Sequence, residues 1–330
     1  MRFLDKKNEN LTYSNVMNEF EGVILAAGRG TRMHPFTTRW PKPILPILAK
    51  PLLQHQIEMM KSVGIQKITI VIGHLGYEIV RTLGNGSTFG VEIVYIEQTE
   101  TLGIAHAVGR LESRVQKPFL LCLGDIFFVT NNLASMMKAF GEKDTKAVLA
   151  SKLEEEAKMI QRNFAIILGK GRQVVRVIEK PRYVQNKLKG CGVYLFGLEI
   201  FDAIRRTPRT AMRDEYEITE AIQIMIQDGH RVVHADIIEE DLNLTVPEDL
   251  LNINLLELQR NGLRNFFAQG SPRSGKLANC VVGSRVTFDA KLSLENCVVF
   301  DDVKLEKGIE LHNAIVTPEG IIQCNPKKVE

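Results

Sequence analysis

Residues 22–47 read GVILAAGRGTRMHPFTTRWPKPILPI. The short apolar run that opens them ends at a glycine, which predicts a buried strand over 22–27 followed by a loop. The loop contains four residues suited to binding phosphate, namely Gly28, Gly30, Thr31 and Arg32. Small residues let backbone N–H groups approach an anion, and arginine brackets phosphate oxygens with a planar fork. Lys42, between two prolines, adds a positive charge, so the stretch predicts a triphosphate-binding loop.

Two common phosphate-binding motifs do not fit this loop. A Walker loop requires GxxxxGK followed by Ser or Thr, and that pattern is absent from the sequence. A dinucleotide fingerprint requires GxGxxG, and its third glycine position is Met33 here. The specific feature is the whole string, in which a strand leads into AAGRGTRM and then into PKP.

Strands and helices alternate over the first part of the chain. Apolar spacing and turn residues predict strands over 67–73, 91–96 and 118–125 and helices over 51–63, 77–83 and 104–111. Such alternation is typical of βαβ units on a parallel sheet, which binds ligands at the carboxyl ends of its strands. The loop at 28–33 and the Gly-Asp turn at 124–126 both follow predicted strands, so we expect them at that edge.

The pattern changes after about residue 145. Strands with short connections are predicted at 146–151, 164–168, 173–179 and 191–196, which indicates a mixed extension of the sheet. Helices are then predicted at 198–205, 218–227 and 248–259.

The C-terminal residues have a different period. Apolar residues recur every six positions at Cys280, Val286, Leu292 and Val298, and after a slip of one at Val303, Ile309, Ile315 and Ile321. This period is typical of a parallel β-helix of about two to three coils. The linker at 269–276 combines glycine, serine and proline. We therefore expect a flexible leader at 1–20, a main α/β domain at 21–268 and a β-helix tail at 277–330.

The composition is that of an ordinary globular protein. The 330 residues are 45% apolar and 25% charged with a net charge of +3, which disfavours a nucleic-acid-binding protein that relies on a strong basic field. No apolar run is long enough to span a membrane, and the polar N-terminus lacks a signal-peptide core. The five scattered cysteines, without zinc-like spacing, indicate reduced thiols. We therefore expect a cytoplasmic protein that binds neither nucleic acid nor membranes.

The strings GVILAAGRGTRM and PKPILPI together resemble the signature of the sugar-1-phosphate nucleotidylyltransferases. Further strings follow in that family's order: QTETLGIAHAV at 98–108, LGD at 123–125, EKP at 179–181, GCGVYLF at 190–196, EYEITEAIQ at 215–223 and PEDLL at 247–251. The resemblance covers about residues 21–260 and is strongest to the longer glucose-1-phosphate thymidylyltransferases. It implies a Rossmann-like nucleotidyltransferase domain with a mixed or parallel sheet, to which many members append a left-handed β-helix.

The resemblance implies transfer of a nucleoside monophosphate from an NTP to a sugar 1-phosphate, with release of pyrophosphate. The sugar-phosphate oxygen would attack the α-phosphorus in line with the help of Mg²⁺, while the protein positions the reactants and neutralises charge. The resemblance favours dTTP or UTP as the donor and glucose 1-phosphate as the acceptor.

Site residues carry over from the family's motifs position by position. The catalytic residues would be Arg32, Lys42, Asp125 and Lys180. The nucleotide would be bound by Leu25, Ala26, Ala27, Gly28, Gly30, Thr31, Arg32, Gln98 and Gly103. The sugar phosphate would contact Gly124, Ala165, Glu179, Lys180, Gly192 and Glu217.

The metal site departs from the family's usual pattern. Asp125 would bind Mg²⁺, but the position of the family's second metal aspartate is occupied by Asn243. An amide oxygen can bind Mg²⁺ without contributing charge. Asp241 lies two residues earlier on the same predicted strand face and is an alternative ligand. Ala165 is a further departure, since the family often has glycine there.

These departures leave other functions open. The alternatives are a guanylyltransferase that acts on mannose 1-phosphate, a weakly active or regulatory homologue that binds nucleotide or nucleotide sugar, and a transferase with another phosphorylated acceptor. The charged residues Arg32, Lys42, Asp125 and Lys180 are all present, which favours an active transferase. The tail is too short for the acetyltransferase site of some relatives, and an open last coil would favour a homo-oligomer.

Overall fold

The structure is a computed structural model that describes residues 20–211, 214–288, 291–306 and 308–325. Nearly all of the predicted leader, residues 1–19, lies outside the described residues. Within the described ranges, the helices are too short or too polar to cross a membrane.

The elements follow the predicted alternation closely up to residue 123. The strands are β1 (Glu21–Ala26), β2 (Pro46–Ile47), β3 (Lys50–Pro51), β4 (Lys67–Ile72), β5 (Glu92–Glu97), β6 (Phe119–Leu123), β7 (Ile126–Thr130), β8 (Thr145–Leu153), β9 (Phe164–Leu168), β10 (Val174–Glu179), β11 (Leu188–Phe196), β12 (Arg231–Asp236), β13 (Ile238–Asn243), β14 (Asn265–Phe267), β15 (Lys276–Ala278), β16 (Cys280–Val282), β17 (Ser293–Val299), β18 (Glu310–Thr317) and β19 (Gly320–Gln323). The α-helices are α1 (Leu52–Ser62), α2 (Gly76–Leu83), α3 (Ile104–Gly109), α4 (Ala134–Phe140), α5 (Ala157–Arg162), α6 (Ile200–Arg206), α7 (Ile218–Gln227) and α8 (Pro247–Arg260).

The main sheet has a parallel half and a mixed extension, in which β12 runs parallel to β8. The strand order is β10-β9-β11-β6-β1-β4-β5, with β8 beside β11 and β12 beside β8. The four strands β6, β1, β4 and β5 are parallel and come from the alternating elements. β11 is antiparallel to both β6 and β8, which joins the later strands to this half. The expected α/β fold with a mixed sheet is therefore confirmed.

The parallel strands β1, β4 and β6 are buried on both faces, which explains their continuous apolar sequences. The backbone of β1 passes so close to α1 that a Cβ atom at Gly22 would lie 2.7 Å from the sulfur of Met60. A parallel sheet with both faces covered loses the alternation of apolar and polar residues that a half-exposed strand shows. The core of this sheet includes Phe119, Leu121 and Phe196.

β11 changes partners along its length. Lys189 and Gly190 pair with β9, whereas Val193 to Phe196 pair with β6. The register with β8 shifts between Gly190 and Tyr194, so Gly192 lies in an irregular stretch. Gly190 is required there because a Cβ atom would overlap the ring of Phe164.

The chain divides into two compact units that do not follow chain order. Among the described residues, the first contains 20–28 together with Gln56–Gly124 and Phe128–Asp241, and it includes the main sheet. The second contains Arg29–His55, Asp125–Phe127 and the described residues of 242–325. The segment 29–45, which we call the basic loop, therefore belongs to the same unit as Asp125 and the tail.

The tail is a stack of parallel strands in which paired residues are 17 positions apart. Three rows share this offset, through the pairs Val281–Val298, Lys276–Ser293 and Thr287–Lys304. Equivalent residues of successive repeats consequently lie beside one another. The predicted six-residue apolar period corresponds to the spacing between rows, shortened by one residue in each repeat.

Asn279, Asn296 and Asn313 form a ladder at one corner of the stack. Each has a φ of 52°, a left-handed conformation that asparagine adopts more readily than most residues. The amide Nδ2 of Asn279 donates to Oδ1 of Asn296 at 3.0 Å, and Nδ2 of Asn296 donates to Oδ1 of Asn313 at 2.9 Å. Backbone preference and side-chain bonding thus stabilise the same corner.

The predicted open last coil is wrong. β19 pairs antiparallel with β18 through a turn between Thr317 and Gly320. The chain itself therefore supplies the hydrogen-bonding partners of β18 on this side. Ile321, which continues the apolar period in the sequence, lies in this hairpin and is 48% exposed.

Replacing Asn296 tests the ladder. Asn296→Ala removes both amide hydrogen bonds and leaves a side chain at a φ that alanine disfavours, so we expect the free energy of unfolding to fall by about 1–3 kcal/mol. Asn296→Gly loses the same bonds without the backbone strain, so its free energy of unfolding should fall by less. Chemical denaturation measures both variants, and an Asn296→Ala variant as stable as the unmodified chain would contradict the assignment.

Candidate active site

Two glycines in the first unit let three parallel strands end close together. A Cβ atom at Gly73, after β4, would lie 2.6 Å from the carbonyl oxygen of Ala27. A Cβ atom at Gly124, after β6, would lie 2.8 Å from the carbonyl oxygen of Leu25, to which Gly124 N–H donates at 2.9 Å. Leu25, Ala26 and Ala27 therefore lie at the carboxyl edge of the sheet, as the sequence predicts. Gly73 was not predicted, although a glycine directly after an apolar strand was the available signal.

The segment predicted to contact the base begins with a buried side chain. Gln98 is 5% exposed. Its Nε2 donates to the carbonyl oxygen of Glu100 at 2.7 Å and lies 3.4 Å from Nδ1 of His106. These contacts hold the carboxamide in one orientation.

Gly103 joins the predicted base segment to the predicted sugar segment. Its φ is +105° and a Cβ atom would lie 2.5 Å from the carbonyl oxygen of Tyr216, so a larger residue would push the two segments apart. Ala105 N–H donates to that same oxygen at 2.9 Å. The rings of His106 and Tyr216 also stack, with centroids 6.1 Å apart. Two motifs more than a hundred residues apart in sequence thus meet.

Two predicted sugar-binding carboxylates lie near one buried tyrosine. Burial raises the pKa of the Tyr194 hydroxyl well above its ordinary value, and the negative charges of Glu179 and Glu217 raise it further. Oε2 of Glu179 accepts a hydrogen bond from Oγ1 of Thr219 at 3.2 Å. The β10 and α7 segments therefore bring Glu179 and Glu217 into one region of the first unit.

Lys180 follows Glu179 in an unusual backbone conformation. Its φ is +40°. Positive φ values are uncommon for residues that carry a side chain, and they occur most often at functional sites. Its N–H donates to the carbonyl oxygen of Asn163 at 2.8 Å, and its Nζ lies 3.9 Å from Oε1 of Glu179. The side chain is partly exposed, so its charge is available to an anion. The buried Ala165 and Gly192 lie in the neighbouring strands β9 and β11.

In the second unit, the side chain of Lys42 runs directly over Gly30. A Cβ atom at Gly30 would lie 2.9 Å from both Cγ and Cε of Lys42 and 3.0 Å from Cγ2 of Thr37. Gly30 also has a φ of +62°, which glycine adopts without strain. Oγ1 of Thr37 donates to the carbonyl oxygen of Gly30 at 3.2 Å and fixes the loop from the other side. Position 30 thus requires glycine because the Lys42 side chain packs against it. The sequence did not predict this contact.

Lys42 points to the carboxylate predicted to bind metal. Its Nζ lies 3.6 Å from Oδ2 of Asp125, and the side chains are 10% and 48% exposed, respectively. Leu244 N–H donates to the carbonyl oxygen of Asp125 at 3.0 Å, which brings the neighbouring Asn243 to the same turn. The exposed Arg32 lies in a short 3-10 turn of the basic loop, Thr31–Met33. This unit therefore contains the predicted site residues Arg32, Lys42, Asp125 and Asn243, of which Lys42 and Asp125 are in contact.

Asp125 and Asn243 carry oxygen donors of the kind that a magnesium ion takes. The described residues contain no group of three or more His, Cys, Asp and Glu side chains arranged for a metal ion. Mg²⁺ does not need such a cluster, because it is usually held by one or two carboxylates together with waters and substrate phosphates. The half-exposed carboxylate of Asp125 is compatible with that requirement.

Asp241, the alternative metal ligand, is paired with a lysine in the first unit. Its Oδ1 accepts a hydrogen bond at 2.7 Å from Nζ of Lys189, which is fully buried and lies 3.3 Å from Glu154. Burial alone lowers the pKa of Lys189, but the charge of Asp241 and its hydrogen bond raise it above the ordinary value. Removing either partner of such a buried pair would leave the other charge unpaired, which is strongly destabilising, so Asp241 serves as the counter-charge of Lys189 inside this unit. A lysine within the apolar run of β11 was the sequence signal for this pair.

Comparison with known proteins identifies the family. The nucleotidyl transferase family profile matches residues 21–242. The chain belongs to the sugar-1-phosphate nucleotidylyltransferase family. It is therefore an enzyme of the EC 2.7.7 type.

Two relatives of this nucleotidylyltransferase illustrate the similarity. A glucose-1-phosphate thymidylyltransferase of Streptomyces griseus is 34% identical over 248 residues, which are 72% of this chain and 66% of the relative. A UTP–glucose-1-phosphate uridylyltransferase of Haloferax volcanii is 32% identical over 230 residues, which are 69% of this chain and 93% of the relative. The nucleobases in these two names differ.

A solved structure supports the fold. A crystal structure of a Bacillus anthracis protein, provisionally named a glucose-1-phosphate thymidylyltransferase, superposes with a TM-score of 0.64 at 26% identity. The match covers 72% of this chain and 94% of that protein. The nucleotidylyltransferase fold inferred from the motifs is therefore present.

Gly30→Ala tests the packing of the basic loop. The added methyl group would meet the Lys42 side chain and would be strained at this φ, so Lys42 must move away from Asp125. We expect pyrophosphate release to fall about 100-fold, as for other small displacements of substrate-binding groups. Gly262→Ala is a matched control, because Gly262 has nearly the same φ of +63° but a Cβ atom there would have no other atom within 4 Å among the described residues. Equal activities of the two variants would show that the contact with Lys42 is unimportant.

Proposed function

We propose that this nucleotidylyltransferase transfers a nucleoside monophosphate from dTTP or UTP to glucose 1-phosphate, giving a nucleoside diphosphate sugar and pyrophosphate. The observation that carries the proposal is the arrangement in which Lys42 passes over Gly30 to Asp125. The names of the Streptomyces and Haloferax relatives support a pyrimidine nucleotide and glucose 1-phosphate.

The basic loop would bind the triphosphate. Arg32 and Lys42 would neutralise its charge and stabilise the departing pyrophosphate. The small residues Gly28, Gly30 and Thr31 would let backbone N–H groups approach the phosphates, and Leu25, Ala26 and Ala27 would contact the nucleoside. Because a sugar phosphate is already an anionic nucleophile near neutral pH, no side chain has to remove a proton from it.

Gln98 and Gly103 would contact the base. The bond from Nε2 of Gln98 to Glu100 leaves the carboxamide oxygen to accept a hydrogen bond from the base. Uracil, thymine and guanine carry a ring N–H that can donate to it, whereas cytosine and adenine carry an unprotonated ring nitrogen at the corresponding edge. This orientation supports UTP, dTTP or GTP over CTP and ATP.

The sugar phosphate would be held in the first unit. Lys180 would bind its phosphate, and the carboxylates of Glu179 and Glu217 would accept hydrogen bonds from sugar hydroxyls. The backbone at Gly124 and Gly192 would allow close approach. The methyl group of Ala165 would narrow the sugar pocket relative to relatives that have glycine there.

Asp125 and Asn243 would hold Mg²⁺. When bound, the ion would neutralise part of the charge on the phosphates of the nucleotide. To bind the ion, the side chain of Asp125 has to give up its contact with Lys42. This change frees the ammonium group of Lys42 for the triphosphate. Asn243 contributes one charge fewer than an aspartate, so we expect weak metal affinity in the absence of nucleotide.

The main alternative is a guanylyltransferase that uses mannose 1-phosphate. The acceptor offered by Gln98 suits guanine as well as the two pyrimidines, which is the observation in its favour. A weakly active or regulatory homologue is the second alternative, and the missing charge at Asn243 favours it.

We further propose that the tail at 277–330 is a left-handed β-helix that follows the nucleotidyltransferase domain at 21–268 and the linker at 269–276. The offset of 17 residues in three rows supports the coil. We propose a homo-oligomer in the cytoplasm that binds neither nucleic acid nor membranes. The five free, buried cysteines support a reducing compartment.

A substrate panel tests this function. Pyrophosphate release is measured in the presence of Mg²⁺. The donors are ATP, GTP, CTP, UTP and dTTP. The acceptors are the 1-phosphates of glucose, mannose, galactose and N-acetylglucosamine. We expect turnover with dTTP or UTP and glucose 1-phosphate and almost none for Asp125→Ala. Turnover only with GTP and mannose 1-phosphate would select the alternative. Nucleotide binding without turnover for any pair would favour the regulatory role.

Lys180→Ala separates the two substrates. Losing the ammonium group should raise KM for the sugar 1-phosphate at least tenfold, because a charge-assisted contact to phosphate contributes about 1.5–3 kcal/mol. KM for the NTP should change less than about threefold. Steady-state kinetics with each substrate varied in turn measures both constants, and equal increases would contradict the assignment. Lys170→Ala, at an exposed turn, is a suitable control.

A further inference from the structure

A phenylalanine of the tail packs against two aromatic residues of the basic loop. The ring of Phe300, which follows β17, stacks on that of Phe36 with centroids 5.7 Å apart and an angle of 13°. Trp40 meets Phe300 edge to face, with centroids 5.6 Å apart. Phe36 is fully buried and Phe300 is 7% exposed. These rings form an apolar contact within the second unit.

An ion pair joins the same two segments at the surface. Nη1 of Arg39 lies 2.7 Å from Oε1 of Glu319, in the turn between β18 and β19. The guanidinium of Arg39 also lies over the Trp40 ring, 5.1 Å from its centroid. Exposed ion pairs contribute little to stability, so its main effect is to fix the orientation of Arg39 and Trp40.

Helix α8 fixes the residues that directly follow the basic loop. Oδ1 of the fully buried Asn254 accepts a hydrogen bond from Leu48 N–H at 2.8 Å, and its Nδ2 donates to the carbonyl oxygen of Pro46 at 3.0 Å. The same helix packs against β17 and β18 of the tail. The loop is thus attached to C-terminal residues both at its middle and just after its end.

Short steps connect the aromatic contact to the charged groups of the loop. Phe36 and Thr37 lie in one 3-10 turn, and Thr37 bonds to Gly30. Gly30 in turn lies under the side chain of Lys42. A displacement of the turn at Phe36 would therefore move Gly30. This would change both the packing of the Lys42 side chain on Gly30 and the path of the backbone that leads to Arg32.

We propose that Phe300 is a positioning residue for triphosphate binding, and that the tail holds the basic loop in the shape that presents Arg32 and Lys42 to the nucleotide. This inference rests on the proposed function, in which these two cations bind the triphosphate. A loop ordered before binding loses less conformational entropy when the nucleotide arrives. Phe300 acts through Phe36 and Trp40 and does not touch the nucleotide.

The kinetic test uses the full chain with Phe300→Ala. We expect KM for the NTP to rise about tenfold or more, because small displacements of binding groups have large effects. KM for the sugar 1-phosphate should stay within about threefold, since Lys180 and Glu179 belong to the other unit. Phe300→Leu keeps most of the apolar volume and should restore part of the loss.

Leu292→Ala is the matched control for general destabilisation. Leu292 is buried in the same stack, at 1% exposure, and the substitution leaves a cavity in the tail. A second matched pair compares Glu319→Gln, which breaks the ion pair to the loop, with Arg285→Gln, which breaks an exposed pair to Asp302 inside the tail. Only Phe300→Ala and Glu319→Gln should raise KM for the NTP, and Glu319→Gln by the smaller factor.

Trp40 offers a direct readout, because it is the only tryptophan of the chain. Titration with Mg²⁺ and the preferred NTP should change its fluorescence at concentrations that match KM. In Phe300→Ala, the concentration that gives half of the change should rise by the same factor as KM. In Leu292→Ala, it should equal that of the unmodified chain.

Three outcomes decide whether Phe300 positions the basic loop for triphosphate binding. An increase in KM for the NTP confined to the two loop-contacting variants supports the inference. Equal effects of Phe300→Ala and Leu292→Ala, or an unchanged KM for the NTP in Phe300→Ala, overturn it. Arg32→Ala and Lys42→Ala separate this from failure of the proposed function: if neither raises KM for the NTP, the assigned triphosphate site is wrong whatever Phe300 does.

Discussion

The passage of the Lys42 side chain across Gly30 to Asp125 is the constraint on which the second unit depends. It requires a glycine at a positive φ, a loop that returns to Gly30 through Thr37, and a turn that presents Asp125 directly after β6. A largely buried ammonium group needs a nearby partner that offsets the loss of its hydration. The carboxylate of Asp125 supplies one before substrates bind, and the phosphates of a nucleotide would replace it.

The division into units gives the tail a role beyond its own stability. The chain enters the second unit just after β1 and again just after β6, at the two turns that carry Arg32, Lys42 and Asp125. These charged segments share their unit with α8 and the tail, while Lys180, Glu179 and Glu217 lie in the sheet unit. The charged residues assigned to the triphosphate thus belong to one unit, and those assigned to the sugar phosphate belong to the other.

The sequence predicted those features that depend on local pattern. The strands around the parallel half and the helix at 218–227 follow apolar periodicity, and the charged residues of the basic loop follow a motif. The ion pair of Lys189 with Asp241, the contact of Phe300 with Phe36 and the hairpin of β19 were not predicted. Each depends on residues brought together by tertiary packing, about which neither periodicity nor composition carries information. Ile321 continues the apolar period, yet the turn before it sends the chain back along β18.

The most direct test of this account is a crystal structure of the full chain with Mg²⁺ and a non-hydrolysable NTP analogue. The account predicts the triphosphate on the basic loop in contact with Arg32 and Lys42, the metal ion on Asp125 and Asn243, and Phe300 still stacked on Phe36. A triphosphate bound elsewhere, with Lys42 still paired to Asp125, would contradict it.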